Sequence, residues 1–166
     1  MKRYARSQRG VSLIEVMVAI VVFGIGMLGL ALLQTKGAQF TKESSSRTNA
    51  IIQARSLADA MRANPQGVDP ADGSSSYYIY DGTVAPDPAA CASNPPCAQA
   101  KRDLRDWLDH LKNSTIAAQG VPAGKVQRDA GLGTFTITVS WNGLDLNGDK
   151  ELTAADNGTY SFSMLP

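Results

Sequence analysis

A long apolar run near the N-terminus constrains this chain more than any other feature. Residues 11–33 (VSLIEVMVAIVVFGIGMLGLALL) contain a single charged residue, Glu15. At about 1.5 Å per residue, a helix of this length crosses the roughly 30 Å hydrocarbon core of a membrane. The run therefore predicts one membrane-spanning helix, and the rest of the 166 residues is enough for one modest domain.

Positive charge is concentrated on the N-terminal side of this run. Four of the 16 Lys and Arg residues lie in the first nine positions, where no Asp or Glu occurs. Because basic flanks stay in the cytoplasm, this pattern predicts that the N-terminus remains inside and that the rest of the chain is exported. The formal net charge of +1 gives no indication of a nucleic-acid partner.

Glu15 is the residue that a simple membrane anchor does not explain. A charged side chain inside the membrane costs about 2.5–3.5 kcal/mol on insertion scales, so such a residue indicates a function and needs a partner. A secretory signal peptide is the other simple alternative, but its apolar core is shorter and a cleavage site of small residues follows it. Here Leu32, Leu33, Gln34 and Thr35 occupy that region.

A cut after Gly10 would supply the cation that Glu15 needs. Val11 would then carry a positive α-amino group, and Glu15 lies four residues further on, about one helical turn away. The carboxylate would pair either with its own amine or with the amine of a neighbouring subunit. Because an unpaired buried charge is costly, this pairing would penalise a misplaced subunit.

The segment GVSLIEV (residues 10–16), with its basic leader and apolar continuation, resembles the processing site of type IV pilins and of type II secretion pseudopilins. The resemblance implies cleavage after Gly10 by a prepilin peptidase, N-methylation of Val11, and a role for Glu15 in assembly. The family usually has Phe after the glycine, where this chain has Val11. The implied organisation is a leader peptide at residues 1–10, a transmembrane and assembly helix at 11–35, and a periplasmic head at 36–166.

Two segments of the head have helical periodicity. Residues 34–63 suit a helix that continues the apolar run, and Asn64 ends it because a residue before proline avoids helical angles. Residues 98–112 predict an amphipathic helix whose apolar stripe faces the core. The apolar positions are Phe40, Ile51, Ala54, Ala58 and Met61 in the first segment and Leu104, Trp107, Leu108 and Leu111 in the second.

Two further segments alternate apolar and hydroxyl side chains, as half-buried antiparallel strands do. They are residues 134–141 (TFTITVSW) and 159–164 (TYSFSM), and residues 77–80 indicate another short strand. A long N-terminal helix packed on a small antiparallel sheet is the α+β type IV pilin fold, and we expect that fold here.

Cys91 and Cys97 are the only cysteines, and the five residues between them include two prolines. In an exported chain, two cysteines at this spacing predict a disulfide. No nucleophile with a nearby base and no cluster of histidines stands out, so we do not expect an enzyme, and no cofactor is required.

Residues 145–156 resemble an EF-hand or dockerin calcium loop, with oxygen-bearing side chains at alternating positions. Lys150 stands where such loops have glycine, and the last position is Asp rather than Glu. The segment is therefore either a structural calcium site or a polar loop between two strands. The candidate calcium ligands are Asp145, Asn147, Asp149, Glu151 and Asp156.

Several segments together resemble the PilV family of minor pilins: GIGMLGLALLQ, ADAMRANP, the cysteine loop, the Trp-Leu helix and TITVSW. The resemblance implies a subunit that helps prime assembly of a type IV pilus and contributes to adhesion or twitching motility. Its partners would be the prepilin peptidase, other pilins and minor pilins, and the inner membrane, which it would leave for the filament at the cell surface. A minor pseudopilin of a type II secretion system is the alternative.

Overall fold

The computed structural model describes residues 10, 12–91, 93–113, 123–143 and 157–166. Its longest element is helix α1, Leu13–Ala63, with 51 residues. The chain divides into two compact units, Met1–Thr41 and Lys42–Pro166, and the boundary between them falls within α1. The first unit contains the apolar part of α1, and the second contains the head.

The apolar part of α1 exposes its side chains to the surroundings. Leu13, Phe23 and Leu33 are 78%, 66% and 68% exposed. By length and composition, α1 is the one helix in the described ranges that is able to cross a membrane. A contiguous apolar surface of this extent marks a site that lipid or other protein covers.

In the head, α1 packs into the core through a stripe of mostly small side chains. Of the apolar positions that predicted this helix, Ala54, Ala58 and Met61 are buried, whereas Ile51 is half-buried and Phe40 is 65% exposed. Phe40 has the right helical spacing but belongs to the N-terminal unit, so it lies outside the unit that contains the core. The buried residues of α1 are Ala50, Ala54, Leu57, Ala58 and Met61.

The end of α1 is where the sequence predicts it. Ala63 is the last helical residue, and Asn64 begins a single helical turn, α2, at Pro65–Val68. The Asn64 side-chain oxygen accepts a hydrogen bond from the Gly67 amide at 3.2 Å. An Asn-Pro pair thus stops one helix and caps the next.

Helix α3, Pro95–Asn113, contains the predicted amphipathic segment and begins a few residues earlier. A short 3₁₀ turn at Pro88–Cys91 precedes it. The predicted apolar stripe is confirmed, and His110, which lies beside the stripe, is exposed. The buried residues of α3 are Cys97, Ala100, Leu104, Trp107, Leu108 and Leu111.

Three antiparallel strands form the sheet in the order β1-β2-β3: β1 is Gly124–Arg128, β2 is Phe135–Asn142 and β3 is Asn157–Met164. The two strands predicted from alternation are β2 and β3, and their register pairs Ile137 with Phe162. The long helix packed on this small sheet confirms the expected α+β type IV pilin fold. Strand β1 was not predicted.

Residues 77–80 do not form the predicted strand. Only Tyr80 pairs with the sheet, through an isolated antiparallel bridge to Val126 of β1. The Tyr80 amide donates to the Val126 carbonyl at 3.0 Å, and the Val126 amide donates to the Tyr80 carbonyl at 2.7 Å. Tyr78 of this segment instead joins the helices, through bonds from its hydroxyl to the Ala60 carbonyl of α1 and to Asp103 of α3.

Each tryptophan of the head lies over a glycine of the sheet and bonds to α1. A Cβ at Gly124 would overlap the Trp107 ring, and a Cβ at Gly158 would overlap the Trp141 ring. The Trp107 indole N–H donates to the Gln53 carbonyl at 3.1 Å, and that of Trp141 donates to the Glu43 carboxylate at 3.0 Å. Trp107 of α3 and Trp141 of β2 therefore join the head portion of α1 to α3 and to the sheet.

Candidate functional site

Gly10 lies just before α1, and the fold of this chain does not require a glycine there. It is exposed, and a Cβ at this position would meet no described atom within 4 Å. The first turn of α1 begins with the Ser12 carbonyl, which accepts from the amides of Glu15 at 3.0 Å and Val16 at 3.3 Å. If glycine is required at this position, the requirement would therefore come from a protein that binds the segment.

Glu15 lies in the first turn of α1 on an exposed apolar surface. Its neighbours Val16, Ala19, Ile20 and Phe23 line a shallow depression of about 460 Å³ with it. Among the described residues, none of the ion pairs involves Glu15. A carboxylate at the N-terminal end of a helix is favoured by the helix dipole, but a neighbouring cation is needed once water is removed.

The predicted disulfide is present between Cys91 and Cys97, whose Cα atoms are 5.5 Å apart. Both cysteines are buried. Asn94, inside the closed loop, accepts from the Cys97 amide at 3.1 Å through its side-chain oxygen and so caps α3. Its side-chain nitrogen donates to the Tyr77 hydroxyl at 2.9 Å, which ties the loop to the preceding segment.

A second polar cluster, centred on Tyr78, joins the helices of the head and was missed by sequence reasoning. Tyr78 is fully buried and donates its hydroxyl proton to Asp103 of α3 at 2.5 Å. The same hydroxyl accepts from the Asn64 side chain at 3.3 Å, and Asn64 also donates to the Pro96 carbonyl at 2.9 Å. Burial first, and the bond to Asp103 second, raise the pKa of Tyr78 above its ordinary value. The cluster holds α1, α2 and α3 together.

Alkaline pH should therefore destabilise the head. Because the folded-state pKa of Tyr78 is raised above the value of about 10 in an unfolded chain, the contribution of Tyr78 to stability is constant below pH 10 and falls as pH rises further. One proton gives a loss of up to about 1.4 kcal/mol per pH unit. Chemical unfolding of the full-length chain in detergent, followed by tryptophan fluorescence between pH 8 and about pH 11.5, measures this loss.

The matched control is Tyr78→Phe, which removes the titrating group and should flatten the alkaline limb. It should also cost about 1–3 kcal/mol at neutral pH, because Asp103 and Asn64 lose a partner. Tyr80, whose pKa burial also raises, would leave a residual slope in this variant. Equal alkaline slopes for the native chain and Tyr78→Phe would contradict the assignment.

Some predicted site residues lie outside the described ranges. These are the first nine residues of the predicted leader at residues 1–10, the predicted new N-terminal residue Val11, and the candidate calcium ligands Asp145, Asn147, Asp149, Glu151 and Asp156. Within the part of the chain that the structure describes, no three His, Cys, Asp or Glu side chains lie close enough to hold a metal ion.

Comparison with known proteins identifies the N-terminal segment. Residues 5–31 match the family model described as the prokaryotic N-terminal methylation motif. No curated protein matches the chain with significance. No solved structure does so either. The matched range includes Gly10, Val11 and Glu15, and it ends within the apolar part of α1.

The motif, the apolar helix and the α+β head together support a type IV pilin-like precursor, and they do not distinguish a pilin from a pseudopilin. Such a precursor is processed by a prepilin peptidase and assembles with other pilins. An inner-membrane anchor agrees with the apolar helix.

Proposed function

We propose that this chain is a minor pilin of the PilV type. It is a structural subunit, not an enzyme, that is cleaved after Gly10, methylated on Val11 and incorporated into a type IV pilus. The observation that carries the proposal is the methylation motif at residues 5–31, placed on a helix that ends in an α+β head. The finer assignment to minor pilins rests on the resemblance of the head segments.

The proposed pathway has three locations. The precursor is anchored by residues 11–35 in the inner membrane, with the head at residues 36–166 in the periplasm, where oxidation of Cys91 and Cys97 is favourable. The peptidase removes residues 1–10. The processed subunit then leaves the membrane for the filament, where it helps prime assembly and contributes to adhesion or twitching motility.

The pairing of Glu15 with the amine of Val11 is the proposed assembly interaction. Glu15 is exposed on an apolar helix surface, so a neighbouring subunit can reach it. Removal of water from this surface on assembly makes an opposite charge necessary. The new N-terminus created by cleavage is the cation that every processed subunit of this kind carries.

A minor pseudopilin of a type II secretion system uses the same motif and remains the alternative. The separating experiment follows the mature chain in its own cells, by immunoblot of sheared surface filaments and by secretion of the substrates of the secretion system. The proposal expects the chain in sheared pili and unchanged secretion after its deletion. Absence from pili together with lost secretion would replace it with the pseudopilin assignment.

We also propose that the segment of residues 145–156 binds a structural calcium ion. Four acids and one amide in its sequence supply the oxygen ligands that calcium prefers. Thermal melting of the full-length chain in detergent should show a rise in stability with calcium over EDTA, about 2.7 kcal/mol at a hundredfold excess over Kd. Magnesium should stabilise less, because it requires a smaller octahedral site.

The variants Asp145→Ala and Asp149→Ala should lose this calcium-dependent rise. Asp109→Ala is the matched control, since Asp109 is exposed and its ion pair to Lys112 at 3.7 Å contributes little. Identical melting curves in EDTA and in millimolar calcium would make the segment an ordinary polar loop.

A further inference from the structure

The two edges of the sheet differ in how they are protected. At the outer edge of β1, the backbone of Val126 is already bonded to Tyr80. The same strand carries Lys125 and Arg128, and Arg128 approaches the Asp69 carboxylate at 3.5 Å. Bridging and charge are the means by which proteins prevent another strand from pairing with an edge.

In the described ranges no bridge of this kind is found along strand β3, and the strand itself carries no charge. Its eight residues, NGTYSFSM, include no charged residue and no proline. All eight pair in regular antiparallel register with β2, so no bulge turns the strand away. A long, regular, uncharged edge strand is a template for pairing with another extended chain.

The direction of the backbone groups of β3 follows from β2. The Ser140 amide donates to the Ala123 carbonyl, so it points towards β1, and successive residues of a strand point alternately to either side. Val139 and Ile137 therefore bond to β3, where their partners in register are Tyr160 and Phe162. Thr159, Ser161 and Ser163 of β3 alternate with these partners, so their amides and carbonyls point to the outer edge. In the described ranges, no backbone hydrogen bond reaches these three residues from outside the β2–β3 ladder.

The two faces of β3 define what would fit beside it. On the core side, Tyr160 and Phe162 are only half-buried, whereas Ile137 of the neighbouring strand is fully buried. On the opposite face, hydroxyls meet across β2 and β3, at 3.0 Å between Thr136 and Ser163 and at 3.2 Å between Thr138 and Ser161. A further strand would complete the burial of the aromatic rings if its apolar and small hydroxyl residues alternated.

We propose that the outer edge of β3 is a docking site for an extended, uncharged segment of a partner protein, which adds a fourth strand to the sheet. The backbones of Thr159, Ser161 and Ser163 provide the hydrogen bonds. Apolar side chains of the partner cover Tyr160 and Phe162, as those of β2 do on the other side. Main-chain bonds supply the affinity in such strand addition, and the alternating side chains supply the specificity.

The test uses the full-length chain in detergent and, as probe, a synthetic peptide with the sequence of residues 134–142 followed by a short lysine tail. Amide hydrogen exchange is read by NMR. In the free chain, the amides of Thr159, Ser161 and Ser163 should exchange fast, and saturating peptide should slow all three. The amide of Val126, bonded to Tyr80, should be slow in both samples. A peptide with Asp at the positions of Ile137 and Val139 should have no effect.

The decisive variant is Ser161→Pro, which removes an N–H from the outer edge and leaves the β2 side of the ladder intact. Its matched control is Ser161→Ala, which loses the same hydroxyl contact to Thr138 but keeps the N–H. The proline variant should bind the peptide at least about tenfold more weakly than the alanine variant.

The proposal would be overturned by equal binding by both Ser161 variants, by no protection of the three amides at saturating peptide, or by slow exchange of these amides in the free chain. In the last case another part of the same chain already covers the edge. Protection that rises with protein concentration, without peptide, would identify a second copy as the occupant and would also overturn the assignment to a partner protein.

Discussion

Replacement of Gly10 by valine should abolish processing while the fold of the chain stays unchanged. A Cβ at Gly10 meets nothing in the described residues, so the substitution does not disturb the helix or the head. Under the proposed cleavage, Gly10 is the residue before the scissile bond, and the peptidase would hold it in a site too small for a larger side chain. One added methyl group in such a pocket costs a factor of about 10–200, so Gly10→Ala should be slowed and Gly10→Val should remain uncut.

Intact-mass measurement of the chain, expressed together with a prepilin peptidase, reads the result. The native chain should lose residues 1–10 and begin at methylated Val11, while Gly10→Val should retain its leader and carry no methyl group. Gly24→Val is the matched control, because it makes the same change within the apolar segment, where a Cβ also meets nothing within 4 Å. Cleavage near Thr35, or an uncut native chain, would show that the leader assignment is wrong.

The parts of the fold that the sequence predicts are those whose pattern has a clear period. Trp107 and Leu111 belong to a helical stripe, and Phe135 and Ile137 to a strict alternation, and all four are buried. These periods arise because one face of each element is buried. The helix and the strand can therefore be predicted from the order of residue types alone.

Strand β1 has no such period. Its five residues, GKVQR, contain one large apolar side chain, Val126, and its place is determined by pairing with β2 and with Tyr80. The packing role of Gly124 was not predicted from the sequence either, because it depends on the Trp107 ring that lies over this glycine. Pairing between distant segments is a tertiary property, and local propensity does not contain it.

Some residues of the candidate site could likewise be predicted from the sequence, and others could not. Gly10 and Glu15 stand out because a small residue and a charge interrupt basic and apolar segments, and residues 5–31 match the methylation motif. The Tyr78 cluster brings together residues 14 and 25 positions apart, and nothing in the spacing of Asn64, Tyr78 and Asp103 indicates that they meet. The calcium loop lies outside the described residues, so its assignment stays a prediction.

Replacement of Glu15 by valine should leave membrane insertion intact or improve it, and should nevertheless remove the chain from filaments. Insertion improves because a charge that costs about 2.5–3.5 kcal/mol in the membrane is gone. Assembly fails because the amine of Val11 in a neighbouring subunit then has no counter-charge in a surface from which water is excluded. Loss of one partner of a buried ion pair costs about 3–5 kcal/mol, which is roughly a hundredfold or more in the equilibrium for subunit addition.

The measurement compares the amount of the chain in the membrane fraction with the amount in sheared filaments, for Glu15→Val and Glu15→Gln. Both variants should be processed and present in the membrane, and both should be depleted from filaments, because each removes the negative charge. Glu43→Gln is the matched control on the same helix: the amide oxygen can still accept the Trp141 N–H, and Glu43 lies in the unit that contains the head. This control should enter filaments at the native level. Normal incorporation of Glu15→Val would rule out pairing with the new N-terminus as the assembly interaction, and equal depletion of Glu43→Gln would show that the effect is not specific to Glu15.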